Sequence, residues 1–139
     1  MSDTPHVVIV DDEATLAVVM RTLVLQDWPH AQVSVFTEPD DLLVRLSGIP
    51  HGAVVLMDRR LGGVDSYDLV RGLVQTRPDV RVTMLSASLG PEEVASARAA
   101  GAFAAYEKPG ALSDWHRLLT TVISPSGGVG APGLGPALA

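Results

Sequence analysis

The chain has no cysteine and few aromatic residues, which make up 4% of its 139 residues. The absence of cysteine excludes disulfide bonds, thiolate metal ligands and thiol nucleophiles, and it is compatible with a reducing cytoplasm. The low aromatic content argues against a surface on which nucleic acid bases could stack. This length is typical of one domain, so we expect a single compact core.

Basic clusters and long apolar runs are also missing. Lys108 is the only lysine, and 16 acidic side chains outnumber 10 basic ones, for a net charge of −6. Direct binding to nucleic acid phosphates therefore lacks its usual electrostatic source. Apolar runs such as Ala53 to Met57 are far shorter than the roughly 20 residues that span a bilayer, and Asp3 stands where a secretory signal would carry bases. We expect a cytoplasmic protein with no membrane contact.

Short β-branched runs alternate with helix-period segments from His6 to Ile123. This alternation predicts an α/β fold in which crossover helices cover a doubly wound parallel sheet. The predicted strands are Val7–Val10, Gln32–Phe36, Ala53–Met57, Arg81–Leu85 and Phe103–Tyr106. The predicted helices are Glu13–Leu25, Asp40–Leu46, Ser66–Gln75, Pro91–Ala100 and Leu112–Ile123.

The composition changes abruptly after residue 123. Residues 1–123 are predicted to form one domain, and the glycine- and proline-rich residues 124–139 to form a flexible tail. Within that tail, Gly128 to Gly133 matches the G-x-G-x-x-G spacing of dinucleotide-binding loops. No strand precedes it and Pro132 stands where a helix should open, so we do not expect a dinucleotide site.

Polar side chains follow four of the predicted strands. Asp11 and Asp12 follow the first strand, Asp58 the third, Ser86 the fourth and Lys108 the fifth. Taken singly, the acid pair is better explained as a helix cap, and Asp58 as the cap of a loop. Ligands of open parallel sheets bind outside the carboxyl ends of the strands, however, so these groups are expected at one edge.

Together these residue types suit phosphoryl transfer. Three converging carboxylates repel one another, and a hard divalent cation with oxygen ligands, such as Mg²⁺, relieves the repulsion. A carboxylate nucleophile, a metal ion, the Lys108 ammonium and the Ser86 hydroxyl would supply a complete set of groups for phosphoryl transfer.

At this point the sequence resembles the receiver domain of two-component response regulators, over about Pro5 to Ile123. The resemblance is carried by Val7-Val8-Ile9-Val10-Asp11-Asp12-Glu13, Leu56-Met57-Asp58, Leu85-Ser86-Ala87, and Gly101-Ala102 leading to Lys108-Pro109. It implies a five-stranded (βα)5 flavodoxin-like fold, similar to chemotaxis regulators, with strand order 2-1-3-4-5.

The resemblance also implies a role for each residue. Asp58 would accept a phosphoryl group from a phosphohistidine of a sensor kinase or phosphotransfer protein, or from a small phosphodonor. Mg²⁺ would be held by Asp11, Asp12, Asp58 and the backbone carbonyl of Arg60. Lys108 would pair with Asp58 and then with the phosphoryl oxygens, and Ser86 would move to bond the phosphoryl group.

Such a domain is a signalling module and not an enzyme acting on other substrates, since it catalyses only its own phosphorylation and dephosphorylation. Its contact surface for a target, or for a second copy in a homodimer, would be the fourth helix, fifth strand and fifth helix. Trp115 on this surface could anchor a partner, but a buried indole is the simpler interpretation.

Three positions depart from the family pattern. Gly62, followed by Gly63, stands where the family usually has proline, which predicts a more flexible loop. Ser66 replaces a usual glycine and is a candidate helix N-cap. Ala105 replaces the aromatic residue that usually swings inward on activation, while Tyr106 should point to the opposite face of its strand.

Two other functional classes fit the sequence less well. Aspartyl-phosphate hydrolases usually show D-x-D at the nucleophile, whereas Asp58 is followed by Arg59 and Arg60. A pseudo-receiver that only binds a partner protein would tend to lose the acid pair or the lysine, and both are present. The sequence leaves open whether the chain acts alone or belongs to a longer regulator or hybrid kinase.

Overall fold

The computed structural model describes residues 4–124, in which five parallel strands alternate with five α-helices. The strands are β1 (His6–Val10), β2 (Gln32–Phe36), β3 (Val54–Asp58), β4 (Arg81–Ser86) and β5 (Ala104–Glu107). The helices are α1 (Ala14–Asp27), α2 (Pro39–Val44), α3 (Tyr67–Thr76), α4 (Pro91–Ala100) and α5 (Leu112–Ile123). Each predicted strand and helix is present, with ends shifted by at most two residues.

The five strands form one parallel sheet in the order β2-β1-β3-β4-β5. This confirms the predicted order 2-1-3-4-5. In the register of the sheet, Val10 pairs with both Phe36 and Met57, and Asp58 pairs with Leu85. The carboxyl ends of β1, β3 and β4 therefore meet at one edge.

The central strands are apolar on both faces because helices cover both faces. All five residues of β3 are buried, and their side chains alternate between two hydrophobic clusters. Val55 and Met57 pack in one cluster, whereas Val54 and Leu56 pack in the other. Asp58, the last residue of the strand, therefore lies at the rim of the hydrophobic core.

Two neighbouring residues of β5 point to opposite faces of the sheet, as predicted. Ala105 is fully buried in the first cluster, while Tyr106 packs against the second. Trp115 on α5 is only 6% exposed and lies in the second cluster. The buried-indole interpretation of Trp115 is thereby confirmed.

The connection after β3 contains a β-hairpin that was not predicted. Arg60–Leu61 pairs antiparallel with Val64–Asp65, and Gly62 and Gly63 form the two-residue loop with φ values of 60° and 80°. Two-residue hairpin loops of the favoured type need positive φ at both central positions, which glycine adopts without strain. The double glycine makes a tight turn, and the predicted flexibility of this loop stays a prediction.

Residues 4–124 contain no helix that is both long and apolar enough to cross a membrane. The predicted tail, apart from Ser124, lies outside the described residues, and so does the Gly128 to Gly133 sequence.

Candidate functional site

Three carboxylates converge at the carboxyl edge of the sheet. Asp11 and Asp12 follow β1, and Asp58 ends β3. One oxygen from each of the three side chains lies within 4.8 Å of the others. Asp11 is 1% exposed and Asp58 8% exposed, while Asp12 faces solvent. The predicted acidic cluster is therefore present, and it is open to solvent at Asp12.

Lys108 bridges the two buried carboxylates. Its Nζ lies 3.2 Å from Asp11 Oδ2 and 3.2 Å from Asp58 Oδ1. The backbone N–H of Lys108 donates to the carbonyl of Ser86 at 2.7 Å, which ties the lysine to the end of β4. Lys108 therefore faces the acidic cluster, as predicted.

The closeness of these charged groups shifts the pKa values of Asp58 and Lys108. Burial first, and then the neighbouring Asp11 carboxylate, raise the pKa of Asp58 to about 6, although Lys108 acts in the opposite direction. Burial alone would lower the pKa of Lys108, but the Asp11 and Asp58 carboxylates outweigh it and raise that pKa. One ammonium group does not compensate three carboxylates, so the site carries excess negative charge.

The acid pair does not cap α1. The N-cap position of α1 is Glu13, which makes no side-chain capping bond. Asp11 Oδ1 instead accepts the Glu13 N–H at 2.8 Å, and Asp12 Oδ2 accepts the N–H of Gly62 at 2.9 Å. The helix-cap interpretation of the pair is wrong, because both acids precede the cap and turn toward the site.

Ser86, at the end of β4, is 2% exposed. Its hydroxyl donates to the Ser88 carbonyl at 2.6 Å and accepts from Arg59 Nε at 2.9 Å. The hydroxyl is thus engaged within its own loop and with Arg59.

Two arginines that follow Asp58 contribute contacts that the sequence did not predict. Both guanidinium groups reach Asp65 Oδ1, Arg59 at 3.0 Å and Arg60 at 3.1 Å. Arg60 also donates from its side chain to the Gly63 carbonyl and from its backbone N–H to Asp58 Oδ1 at 3.4 Å. The role of the Arg60 carbonyl as a metal ligand stays a prediction.

Ser66 occupies the N-cap position of α3, but its hydroxyl makes no capping bond. The hydroxyl donates instead to the backbone carbonyl of Asp58 at 2.7 Å, and Ser66 is 3% exposed. The N-cap prediction is correct for the position and wrong for the side chain, which turns to the Asp58 carbonyl instead. This contact links the start of α3 to the backbone at the end of β3.

The residues present fit a divalent cation. Three carboxylates within 4.8 Å supply hard oxygen donors, and exposure at Asp12 leaves room for retained water. Mg²⁺ is typically bound in this way, through a few carboxylates and several waters. Asp11, Asp12 and Asp58 are the residues that would hold it.

A family model described as the response regulator receiver domain matches residues 7–120. A CheY-like response regulator receiver domain protein from Methanospirillum hungatei is 18% identical, with a TM-score of 0.71 over 84% of this chain and 91% of that chain. A response regulator from Thermotoga maritima is 22% identical, with a TM-score of 0.71 over 87% of this chain and 98% of that chain.

A response regulator protein from Burkholderia pseudomallei, solved with a phosphorylated aspartic acid, a calcium ion and citrate, is also similar. It is 19% identical, with a TM-score of 0.69 over 88% of this chain and 68% of that chain. At these identities the solved structures establish a shared fold. No curated protein sequence matches this chain significantly.

Proposed function

The chain belongs to the response regulator receiver domain family, and on that premise we propose that it accepts one phosphoryl group on Asp58 in two-component phosphorelay signalling. The donor is a phosphohistidine of a sensor histidine kinase or of a histidine phosphotransfer protein. The proposal rests on one observation above all, the placement of the Asp58 carboxylate between Lys108 and two further carboxylates.

Asp58 acts as the nucleophile. A carboxylate oxygen attacks phosphorus, the phosphorus–nitrogen bond to the donor imidazole breaks, and the imidazole keeps the electron pair and takes up a proton. The product is an acyl phosphate on Asp58. Mg²⁺, when bound by Asp11, Asp12, Asp58 and the Arg60 carbonyl, supplies positive charge that offsets the charge of the incoming phosphoryl group.

Lys108 and Ser86 act on the phosphoryl oxygens. The Lys108 ammonium, already 3.2 Å from Asp58 Oδ1, offers a fixed positive charge without moving far. The Ser86 hydroxyl leaves the Ser88 carbonyl and donates to the phosphoryl group, and this movement starts the change in the partner-binding surface. The phosphorylated aspartic acid in the Burkholderia structure is in keeping with this chemistry.

The output passes through protein contacts. The face formed by α4, β5 and α5 is the proposed surface for a target protein or for a second copy of the chain in a homodimer. A pseudo-receiver that is never phosphorylated is less well supported, because Asp11, Asp12, Asp58 and Lys108 are assembled together. The absence of a basic cluster speaks against direct nucleic acid binding, and we place the protein in the cytoplasm.

The experiment is intact-mass measurement after exposure to acetyl phosphate, with Mg²⁺ or with a chelator. We expect the mass of one phosphoryl group on the natural chain with Mg²⁺, and no added mass with the chelator or on Asp58→Asn. Asp68→Asn is the matched control, because Asp68 is an exposed aspartate on α3 outside the site. Modification that ignores Mg²⁺, or that persists in Asp58→Asn, would contradict the proposal.

A further inference from the structure

The Ser86 hydroxyl has only one proton, and that proton is already in use. It is donated to the Ser88 carbonyl at 2.6 Å, while the oxygen accepts from Arg59 Nε at 2.9 Å. A hydroxyl that donates to a carbonyl cannot donate to a phosphoryl oxygen at the same time. Binding of a phosphoryl group therefore requires the bond to the Ser88 carbonyl to be broken, and any displacement of the hydroxyl oxygen in doing so would also strain or break its contact with Arg59 Nε.

Arg59 is itself held from several sides. Its backbone N–H donates to the Leu85 carbonyl at 2.8 Å, and its carbonyl accepts the Ser66 N–H at 2.7 Å. At the far end of the side chain, NH1 pairs with Asp65 Oδ1 at 3.0 Å, and the side chain is 19% exposed. The guanidinium is thereby fixed between the hairpin and the end of β4.

We propose that Arg59 is a positioning residue that holds the Ser86 hydroxyl in its unphosphorylated position, and that release of this contact is part of the switch. The inference rests on the proposed function at Asp58. According to this inference, Arg59 influences the equilibrium between the unphosphorylated and phosphorylated conformations of the site.

The energetics favour a measurable effect. A hydrogen bond from a charged donor contributes more than one between neutral groups, and a buried donor left without an acceptor is costly. Moving Ser86 removes the acceptor of Arg59 Nε in a place where water has little access. Lysine at this position would keep the positive charge but lacks the planar guanidinium that reaches Ser86 and Asp65 together.

The test is the affinity for beryllofluoride in the presence of Mg²⁺, measured on the full chain by intrinsic fluorescence or calorimetry. Beryllofluoride is the probe because it mimics a phosphoryl group on a carboxylate without being hydrolysed. Arg59→Lys is expected to bind it about tenfold more tightly than the natural chain, the equilibrium effect of losing one hydrogen bond from a charged donor. Arg71→Lys is the matched control, because Arg71 is an exposed arginine paired with Asp68. It should leave the affinity for beryllofluoride unchanged.

A double-mutant cycle shows whether Arg59 acts through Ser86. In a Ser86→Ala background, Arg59→Lys should change the affinity by less than about twofold. Asp65→Asn, which loosens the guanidinium but keeps Arg59, should tighten binding by about threefold and remains informative if Arg59→Lys does not fold.

The inference would be overturned if Arg59→Lys tightened beryllofluoride binding equally in the natural and Ser86→Ala backgrounds. It would also be overturned if Arg59→Lys and Asp65→Asn left the affinity unchanged or weakened it. Failure of the natural chain to bind beryllofluoride is a different result, because it would overturn the proposed function at Asp58 itself.

Discussion

At the scale of single residues, Asp58 lies where burial and the neighbouring Asp11 carboxylate make its negative charge unfavourable. Its carboxylate is 8% exposed and lies beside Asp11, and burial together with that neighbour raises its pKa to about 6. A folded-state pKa above the unfolded value means that the folded chain binds the proton more tightly. Stability in the absence of metal is therefore lost as the pH rises from about 4 through about 6.

Asp58→Asn should therefore stabilise the metal-free protein at neutral pH. We expect the free energy of unfolding at pH 7 in a chelator to rise by about 1–3 kcal/mol, since the desolvated charge is removed. Near pH 4 the gain should vanish, because the natural carboxyl group is then protonated in the folded state. Urea unfolding at a series of pH values measures both quantities.

Asp68→Asn is the control for this series, since the Asp68 side chain is 96% exposed. It should alter stability by less than about 0.5 kcal/mol at any of these pH values. A loss of stability at pH 7 in Asp58→Asn, or a gain that does not depend on pH, would refute the electrostatic description of the site.

At the scale of secondary-structure elements, the hairpin after β3 joins the acidic cluster to the two arginines. Gly62 donates to Asp12, and Asp65 accepts from both Arg59 and Arg60. The turn depends on positive φ at Gly62 and Gly63. The shape of this element is thus fixed by two residues without side chains.

Gly63→Ala should weaken the hairpin by a backbone effect alone. A Cβ at Gly63 would meet no atom within 4 Å, so the cost is that of the left-handed conformation, about 1–2 kcal/mol. Gly63→Asn should cost less, because asparagine tolerates this region. Thermal unfolding and amide exchange at Gly62 measure the two effects.

Gly72→Ala provides a control that should change stability in the opposite direction. Gly72 lies inside α3 with open space around it and is not among the glycines with positive φ, so alanine there should stabilise the protein by about 0.5–1 kcal/mol. If Gly63→Ala were as favourable as Gly72→Ala, the assigned role of the turn would be wrong.

The elements that the sequence predicted are those with an apolar run, a periodic pattern, or clear start and stop residues. β3 reads as a continuous apolar run and α4 begins at Pro91 and ends before Gly101, and both were located to within a residue. The hairpin was missed because two-residue strands carry no periodicity. The contact between Arg59 and Ser86 was missed because it joins residues 27 positions apart, and an arginine after a strand reads as a solvated charge.

At the scale of the whole molecule, the strand order accounts for the site. Because β1 and β4 both pair with β3, the sheet brings residues 11, 58 and 86 to one edge. Lys108 follows β5, which pairs with β4, and its long side chain crosses to Asp11 and Asp58. The resemblance to receivers supplied this order, which local sequence patterns alone do not give.

Removal of residues 125–139 should leave this arrangement intact. Within residues 4–124, the hydrophobic clusters and the acidic site are built from residues 7–123. We therefore predict that a chain ending at Ser124 keeps the thermal midpoint and the acetyl phosphate reaction rate of the full chain. A large loss of either quantity would show that the predicted domain boundary at residue 123 is wrong.

The most direct test of the central claim is to locate the phosphoryl group chemically. After reaction with acetyl phosphate and Mg²⁺, borohydride reduction converts an aspartyl phosphate to homoserine, which peptide mass spectrometry can assign to one position. We predict homoserine at position 58 and at no other aspartate. Homoserine at position 11, 12 or 65, or a phosphoryl group on a histidine, would contradict the assignment of Asp58 as the phosphoacceptor.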